Sequence, residues 1–273
     1  MAAMRSFALT KWYLDCVAES GGSAIGYWAA LRWGRVTAVW QAIAFDDLAG
    51  PPAHRREVSL APSAVESSLT AEPAWVDGSL RWDSPALGCR LWLLPSLRPF
   101  GARLLDTDGG TVDWRPEAAA AVVSVDCDGR RPFHGTGYAE RLVLTVPPWR
   151  LPLDELRWGR WVSRDAGRSI VWIDWRGTPP RTFMFVDGVR VSVDRISDDR
   201  VAWGSEALAL SGRQELHRRT LGDLIGPLRR VASRLPTGWL ALEDRKWRSL
   251  GTLIGGGSDS VIGWAIHEEV KWP

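Results

Sequence analysis

Two carboxylic acids stand in apolar, strand-like surroundings where a proton donor could be set. In the run Tyr138–Thr145 side chains alternate with period two, so Tyr138, Glu140, Leu142 and Leu144 share one face. An acid lodged between a tyrosine and two leucines inside a barrel is desolvated, which raises its pKa and keeps it protonated near neutrality. That is the state a general acid requires. The second acid, Asp174, follows Ser169-Ile170-Val171-Trp172-Ile173 and shares a face with Ile170 and Trp172. A carboxyl beside an indole can protonate an alkene, after which the electron-rich ring face stabilises the cation. Trp158 and Trp172, with Trp28 and Trp264, are the candidate cavity walls, and Arg160 is placed to orient the acid or a polar substrate end. Each acid also has a plainer reading. Glu140 can pair with Arg160 or Arg157 as a structural ion pair at a barrel mouth, and Asp174 can close a turn before Arg176-Gly177. Asp15 shares a face with Tyr13 and reads as a structural hydrogen-bonding residue.

Other chemistries lack their residues. The chain has 4 histidines and no His-x-His or His-x-x-x-His spacing to build a metal site. His54 and His217 sit in Arg-rich, polar stretches. His134 precedes a glycine-rich step, and His267 shares its strand face with Glu269, a pairing that reads as structural. Gly255-Gly256-Gly257-Ser258 lacks the lysine and helix of a phosphate loop and reads as a hairpin turn. Gly135-x-Gly137 lacks the third glycine and the βαβ setting of a dinucleotide site, and no Gly-x-Ser-x-Gly elbow is present. Nothing calls for a cofactor or a metal.

The elements that must position these residues are mostly strands. Short apolar runs such as Leu9–Ala18, Ala24–Arg32 and Val36–Phe45 are separated by turn residues, with hairpin dipeptides at Asp77-Gly78, Asp108-Gly109, Asp128-Gly129 and Asp187-Gly188. Many short strands at this spacing predict an all-β chain of sandwich or barrel type, not alternating α/β units. A second series of runs begins at Phe133 and ends at Val261–Val270, which places a domain boundary near Asp128, between modules 1–128 and 129–273. One helix is expected over about 220–235. Thr220 and Asp223 form a capping box, and Leu221, Leu224, Ile225, Leu228, Val231 and Leu235 recur at helical steps. Gly226-Pro227 would kink it, and Pro236 and Gly238 end it.

The chain carries 18 tryptophans in 273 residues, spread over nearly every strand-like run. So many indoles imply either heavy cores or a cavity lined for a flat apolar or cationic guest, and composition favours the cores. A formal charge of +2 argues against nucleic acid as a partner. The 3 cysteines are odd in number and far apart, which argues against a disulfide framework. Met1–Leu9 does not read as a secretory signal, and no run approaches the length of a membrane span. The expectation is a cytoplasmic protein; contact with the inner membrane face remains compatible with the composition. Oligomeric state is not legible.

Gly135-Thr136-Gly137-Tyr138-Ala139-Glu140, followed by Leu156-Arg157-Trp158-Gly159-Arg160-Trp161, resembles the AttH-like/hydroxyneurosporene synthase group, which includes the carotenoid 1,2-hydratases. Lys11-Trp12-Tyr13-Leu14-Asp15 resembles the opening of that group's first barrel, and Gly263-Trp264-Ala265-Ile266-His267-Glu268 its closing strand. The resemblance spans the chain in order through short motifs. It implies two consecutive lipocalin-like barrels, the second opening at the Gly-x-Gly-Tyr-x-acid segment, and cofactor-independent chemistry on an isoprenoid- or polyketide-derived molecule. Where the hydratases tend to carry Asp-His-Asn, this chain has Glu140, Arg141 and Leu142. That departure argues against carotenoid hydration itself while leaving proton-driven chemistry on an apolar substrate.

The expected activity is therefore alkene protonation leading to hydration, isomerisation or ring closure. Glu140 or Asp174 serves as acid, assisted by Tyr138. A carrier of a hydrophobic metabolite is the competing reading, since it needs inward apolar residues and no poised acid. A sugar-binding aromatic platform fits least, because the chain lacks asparagine and has little glutamine.

Overall fold

The computed structural model describes residues 7–46, 53–225, 233, 235–255 and 260–273. The chain is all-β and divides into two compact units, Met1–Pro148 and Trp149–Pro273.

The first unit holds β1 (Phe7–Val17), β2 (Ser23–Trp33), β3 (Val36–Asp46), β4 (Ala53–Ser59), helix α1 (Pro62–Leu69) and β5 (Ala74–Val76). It continues with β6 (Ser79–Ser84), β7 (Cys89–Pro95), β8 (Ala102–Thr107), β9 (Gly110–Cys127) and β10 (Phe133–Leu144). The second unit holds β11 (Leu153–Ser163), β12 (Ser169–Gly177), β13 (Arg181–Val186), β14 (Val189–Val191), β15 (Arg195–Ile196) and β16 (Arg200–Trp203). It closes with β17 (Glu206–Thr220), α2 (Leu221–Ile225), β18 (Glu243–Ile254) and β19 (Val261–Lys271).

Each unit is one antiparallel sheet curled into a lipocalin-like barrel. The strand order is 4-3-2-1-10-9-7-6-5 in the first, with β8 on β9, and 14-13-12-11-19-18-17-16-15 in the second. In both, the opening strand lies beside the closing strand. β10 pairs along its length with β1 and β9. The boundary therefore falls at Pro148/Trp149, not near Asp128. A turn at Asp128-Gly129 reads in sequence like a module end, but here it only reverses the chain between two paired strands.

The indoles answer the question their number raises. Trp28 and Trp82 lie in the first core with Trp12, Leu14 and Ile43, and Trp161 and Trp172 lie in the second with Ile170, Met184 and Leu208. Two glycines make room for the latter pair. A Cβ on Gly159 would stand 2.1 Å from the Trp172 ring, and one on Gly251 would stand 2.3 Å from Trp161. Two indoles of the second core are thus seated on side-chain-free backbone.

Local signals hold at several points. Asp187 and Gly188 both have positive φ, as a two-residue hairpin turn between Val186 and Val189 requires. The Thr220–Asp223 capping box forms: the Thr220 amide donates to Asp223 Oδ2 at 2.7 Å and the Asp223 amide to Thr220 Oγ1 at 3.3 Å. The helix it starts is described over Leu221–Ile225, and most of the predicted remainder lies outside the described residues.

Two features are new. Helix α1 was not predicted. It is short, has Pro62 in its first turn, and buries only Val65 and Ser68, so its periodic signal is weak. Cys89 and Cys127 face one another across β7 and β9 and form a disulfide, which leaves Cys16 as the free cysteine, buried. Wide sequence spacing concealed a direct cross-strand pair.

Candidate functional site

The first candidate site is built on β1, β2, β9 and β10. Leu14 and Ala139 are paired partners that both face the first core. Their chain neighbours Tyr13, Asp15, Tyr138 and Glu140 consequently occupy the opposite face of the sheet. Glu140 therefore does share a face with Tyr138, but that face is not the barrel interior. The alternation was legible; which face the core would take depended on register with β1 and β9.

On this face Tyr13 lies opposite Glu140 on one side and opposite Tyr27 on the other. All three tyrosines of the chain gather here, with ring centroids 5.5 Å apart for Tyr13–Tyr27 and 6.3 Å for Tyr13–Tyr138. Trp40 packs on Tyr27 at 5.6 Å. Glu140 is half-buried. Its Oε2 accepts the Tyr138 hydroxyl at 2.7 Å and the Trp114 indole N–H at 2.5 Å. Two donors on one oxygen fix the carboxyl in direction, and the Tyr138–Glu140 bond is a path along which a proton can pass. Asp15, opposite Tyr138, is fully buried. Trp114 was missed in sequence because it sits 26 residues from Glu140, joined only through the β9–β10 register.

The second candidate lies at the mouth of the second barrel. A cavity of about 20 Å³ is lined by Arg157, Trp158, Trp172, Trp247, His267 and the turn Ile196–Asp198, among others. That volume suits about one water. His267 lies opposite Gly159 on one side and Trp247 on the other. Its ring stacks on Trp247 at 5.6 Å and 28°, and Nε2 is 3.0 Å from Ser249 Oγ. Burial, helped by the charge of Arg213, pushes the His267 imidazole down to about 3, so the ring is neutral at physiological pH. Above it, the Arg213 guanidinium lies 3.7 Å from the Trp247 ring centroid.

The remaining predicted residues divide between core and other contacts. Trp28 is a core residue whose Nε1 donates to Ser68 O at 3.1 Å. Trp172 belongs to the second core and also touches the mouth cavity. Asp174 keeps its expected face with Trp172 and is bonded by Arg176 at 2.8 Å, as a structural acid would be. Trp158 lies under the Lys246 ammonium, 5.2 Å from its ring centroid, and Lys246 is ion-paired with Glu268 opposite it. Arg160 is fully buried and donates to Trp264 O at 2.7 Å, while the Arg248 guanidinium stands 5.6 Å from the Trp264 ring. Glu140 and Tyr138 thus belong to the first unit, and Asp174, Trp158, Arg160, Trp172 and Trp264 to the second. No group of three or more metal-ligating side chains occurs among the described residues. No helix among them is long and apolar enough to cross a membrane.

No family model matches the sequence, and no curated protein matches it either. Solved structures do. An assigned AttH protein from Nitrosomonas europaea aligns over 96% of this chain and 92% of its own, with a TM-score of 0.56 at 14% identity. The chain has the AttH-type fold. Kievitone hydratase from Nectria haematococca aligns over 96% of this chain and 88% of its own, with a TM-score of 0.53 at 10% identity. CghA aligns over 97% and 88%, with a TM-score of 0.51 at 15% identity. The AttH-type fold therefore runs through both units, in agreement with the tandem barrels implied by the sequence resemblance, and identities this low speak to fold alone.

Proposed function

We propose that this chain is a cofactor-independent enzyme of the hydratase or cyclase kind, acting on an apolar small molecule by proton transfer to a double bond. The observation that carries the proposal is the Glu140 carboxyl, oriented by Tyr138 and Trp114 on a face walled by Tyr13, Tyr27 and Trp40. In this reading Glu140 delivers the proton to carbon, Tyr138 relays its replacement, and the aromatic faces stabilise the cation before water or an internal bond captures it. Among the fold neighbours, kievitone hydratase supports the hydratase class by its name, and CghA, solved with Sch210972, supports a small-molecule ligand.

The Asp174 route is less favoured, because its carboxylate is engaged by Arg176. The carrier reading draws support from neither hydrogen bond to Glu140, since holding an apolar molecule requires no oriented acid.

The test begins with native mass spectrometry of the purified protein to identify a co-purified metabolite. That metabolite is then incubated with enzyme in D₂O. Wild-type protein is expected to place deuterium on carbon in the product. Glu140→Gln should slow turnover about 100-fold or more, the scale of a lost general acid, with ligand affinity kept. Tyr138→Phe should slow it less. Unchanged metabolite recovered from the wild type would make the protein a carrier.

A further inference from the structure

Arg55 is a cation that the first unit holds without a carboxylate. It stands on β4 opposite Ile43, a core residue, so its side chain starts from the core face of the sheet. Its Nη1 donates to Leu87 O at 2.8 Å, and its Nη2 donates to Asp128 O. Leu87 lies in the turn between β6 and β7, and Asp128 in the turn between β9 and β10. The Asp128 amide ties the two turns together by donating to Gly88 O at 2.8 Å. Carbonyl oxygens fix a guanidinium in place but carry no net charge to balance it. Among the described residues no carboxylate pairs with Arg55. Taking a cation partly out of water without a counter-charge costs stability.

The third acceptor is a sulfur. Arg55 Nη1 lies 3.9 Å from Cys89 Sγ, one half of the Cys89–Cys127 bond. A disulfide sulfur is neutral, so the guanidinium gains little from it. A thiolate in the same place would supply the missing charge. Cys89 and Cys127 are only 2% and 3% exposed, and burial by itself pushes a thiol's pKa up. A cation alongside acts in the opposite sense, and the arginine contact is to Cys89. Solvent comes up to this end of the barrel in a cavity of about 250 Å³, lined by Gly88, Cys89, Asp126 and Asp128 among others. That is room for a thiol of a few heavy atoms.

We propose that the Cys89–Cys127 bond is a site of reversible exchange with small thiols, and that Arg55 promotes its opening by receiving Cys89 as a thiolate. Two reductant thiols give up two electrons and two protons and join as a disulfide. The electrons break the Cys89–Cys127 bond. One proton stays on Cys127, the other goes to water, and Cys89 is left as the thiolate beside Arg55. The new ion pair takes over part of the connection that the covalent bond made, because Arg55 remains anchored on Leu87 O and Asp128 O. Reoxidation returns the same atoms to the starting bond. The site does not rest on the catalytic reading of Glu140.

Equilibration in buffers of reduced and oxidised glutathione tests this, with acid quenching, alkylation and a mass count of free thiols. At one glutathione ratio, wild type should favour the dithiol over the disulfide about tenfold or more beyond Arg55→Gln. Arg55→Lys, which keeps the charge, should stay within about threefold of wild type. A purely structural Arg55 would not distinguish these two replacements by charge. In Cys127→Ser the bond cannot form, and the thiolate of Cys89 can be followed by its ultraviolet absorbance. There Cys89 should ionise below the ordinary thiol range, and adding Arg55→Gln should move it above that range, since burial alone then acts. Three results would each overturn the proposal: equal dithiol fractions in wild type and Arg55→Gln, an equal fall in Arg55→Lys and Arg55→Gln, or a Cys89 in Cys127→Ser that ionises at or above the ordinary range.

Discussion

His267 shows how much a single residue's environment depends on partners far away in sequence. The period-two pattern placed it with Glu269, as observed, but Trp247, Ser249 and Arg213 reach it only through the β17–β18–β19 register. Its depressed pKa has a consequence for stability. The unfolded chain takes up a proton near 6.5, and the folded chain does so only near 3. Between those values the unfolded state binds more protons, so stability is complete above about pH 6.5 and declines as pH falls toward 3. At pH 5 the loss from this one group is about 2 kcal/mol. His217, also pushed down chiefly by burial, adds loss of the same sign. Denaturant unfolding at pH 7 and pH 5 should show the decline, and His267→Gln should flatten it. An unchanged slope in that variant would place the proton uptake elsewhere. Glu140 gives the complementary lesson. Its face-sharing with Tyr138 was legible from alternation alone, whereas its direction away from the barrel core was not, because alternation assigns two faces without saying which one turns toward that core.

At the scale of the element, strands and turns were largely readable and helices less so. Hairpin dipeptides such as Asp187-Gly188 fold as their chemistry requires, and the Thr220–Asp223 capping box forms. Helix α1 escaped because two buried residues in eight make no periodic signal. The disulfide escaped because Cys89 and Cys127 are 38 residues apart and meet only when β7 pairs with β9. Gly159 illustrates a constraint that composition cannot reveal. It separates Trp158 from Arg160 in a run that resembles a motif, yet its physical task is to leave space beneath Trp172. Gly159→Ala should therefore cost about 1–3 kcal/mol through overpacking, as should Gly251→Ala beneath Trp161. Thermal melts of both variants measure this. A melt within a degree of wild type would mean that the indoles shift aside freely.

Across the whole molecule, the two units repeat one strand scheme although their residues do not repeat visibly. In each, three further strands run outward from the opening strand, and the closing strand returns to its other side. This explains why β10 was misplaced in sequence. A closing strand resembles an opening one in composition, and only its pairing with β1 marks it as the end of the first unit. The disulfide belongs wholly to that unit. Reduction should therefore lower the first unit's stability by about 2–4 kcal/mol and leave the second unchanged. Hydrogen exchange followed with and without reductant can read this. Amides of β7 and β9 should exchange faster on reduction, and those of β18 and β19 should not. Equal acceleration in both would show that the units unfold as one.

The third cysteine turns this arrangement into a built-in stopwatch. Cys16 is the one thiol left by the Cys89–Cys127 bond, and it is sealed in the first core beside the Val123 carbonyl. An alkylating reagent can reach it only when that core opens, so under non-reducing conditions the rate of mass gain counts openings of one barrel without any engineered label.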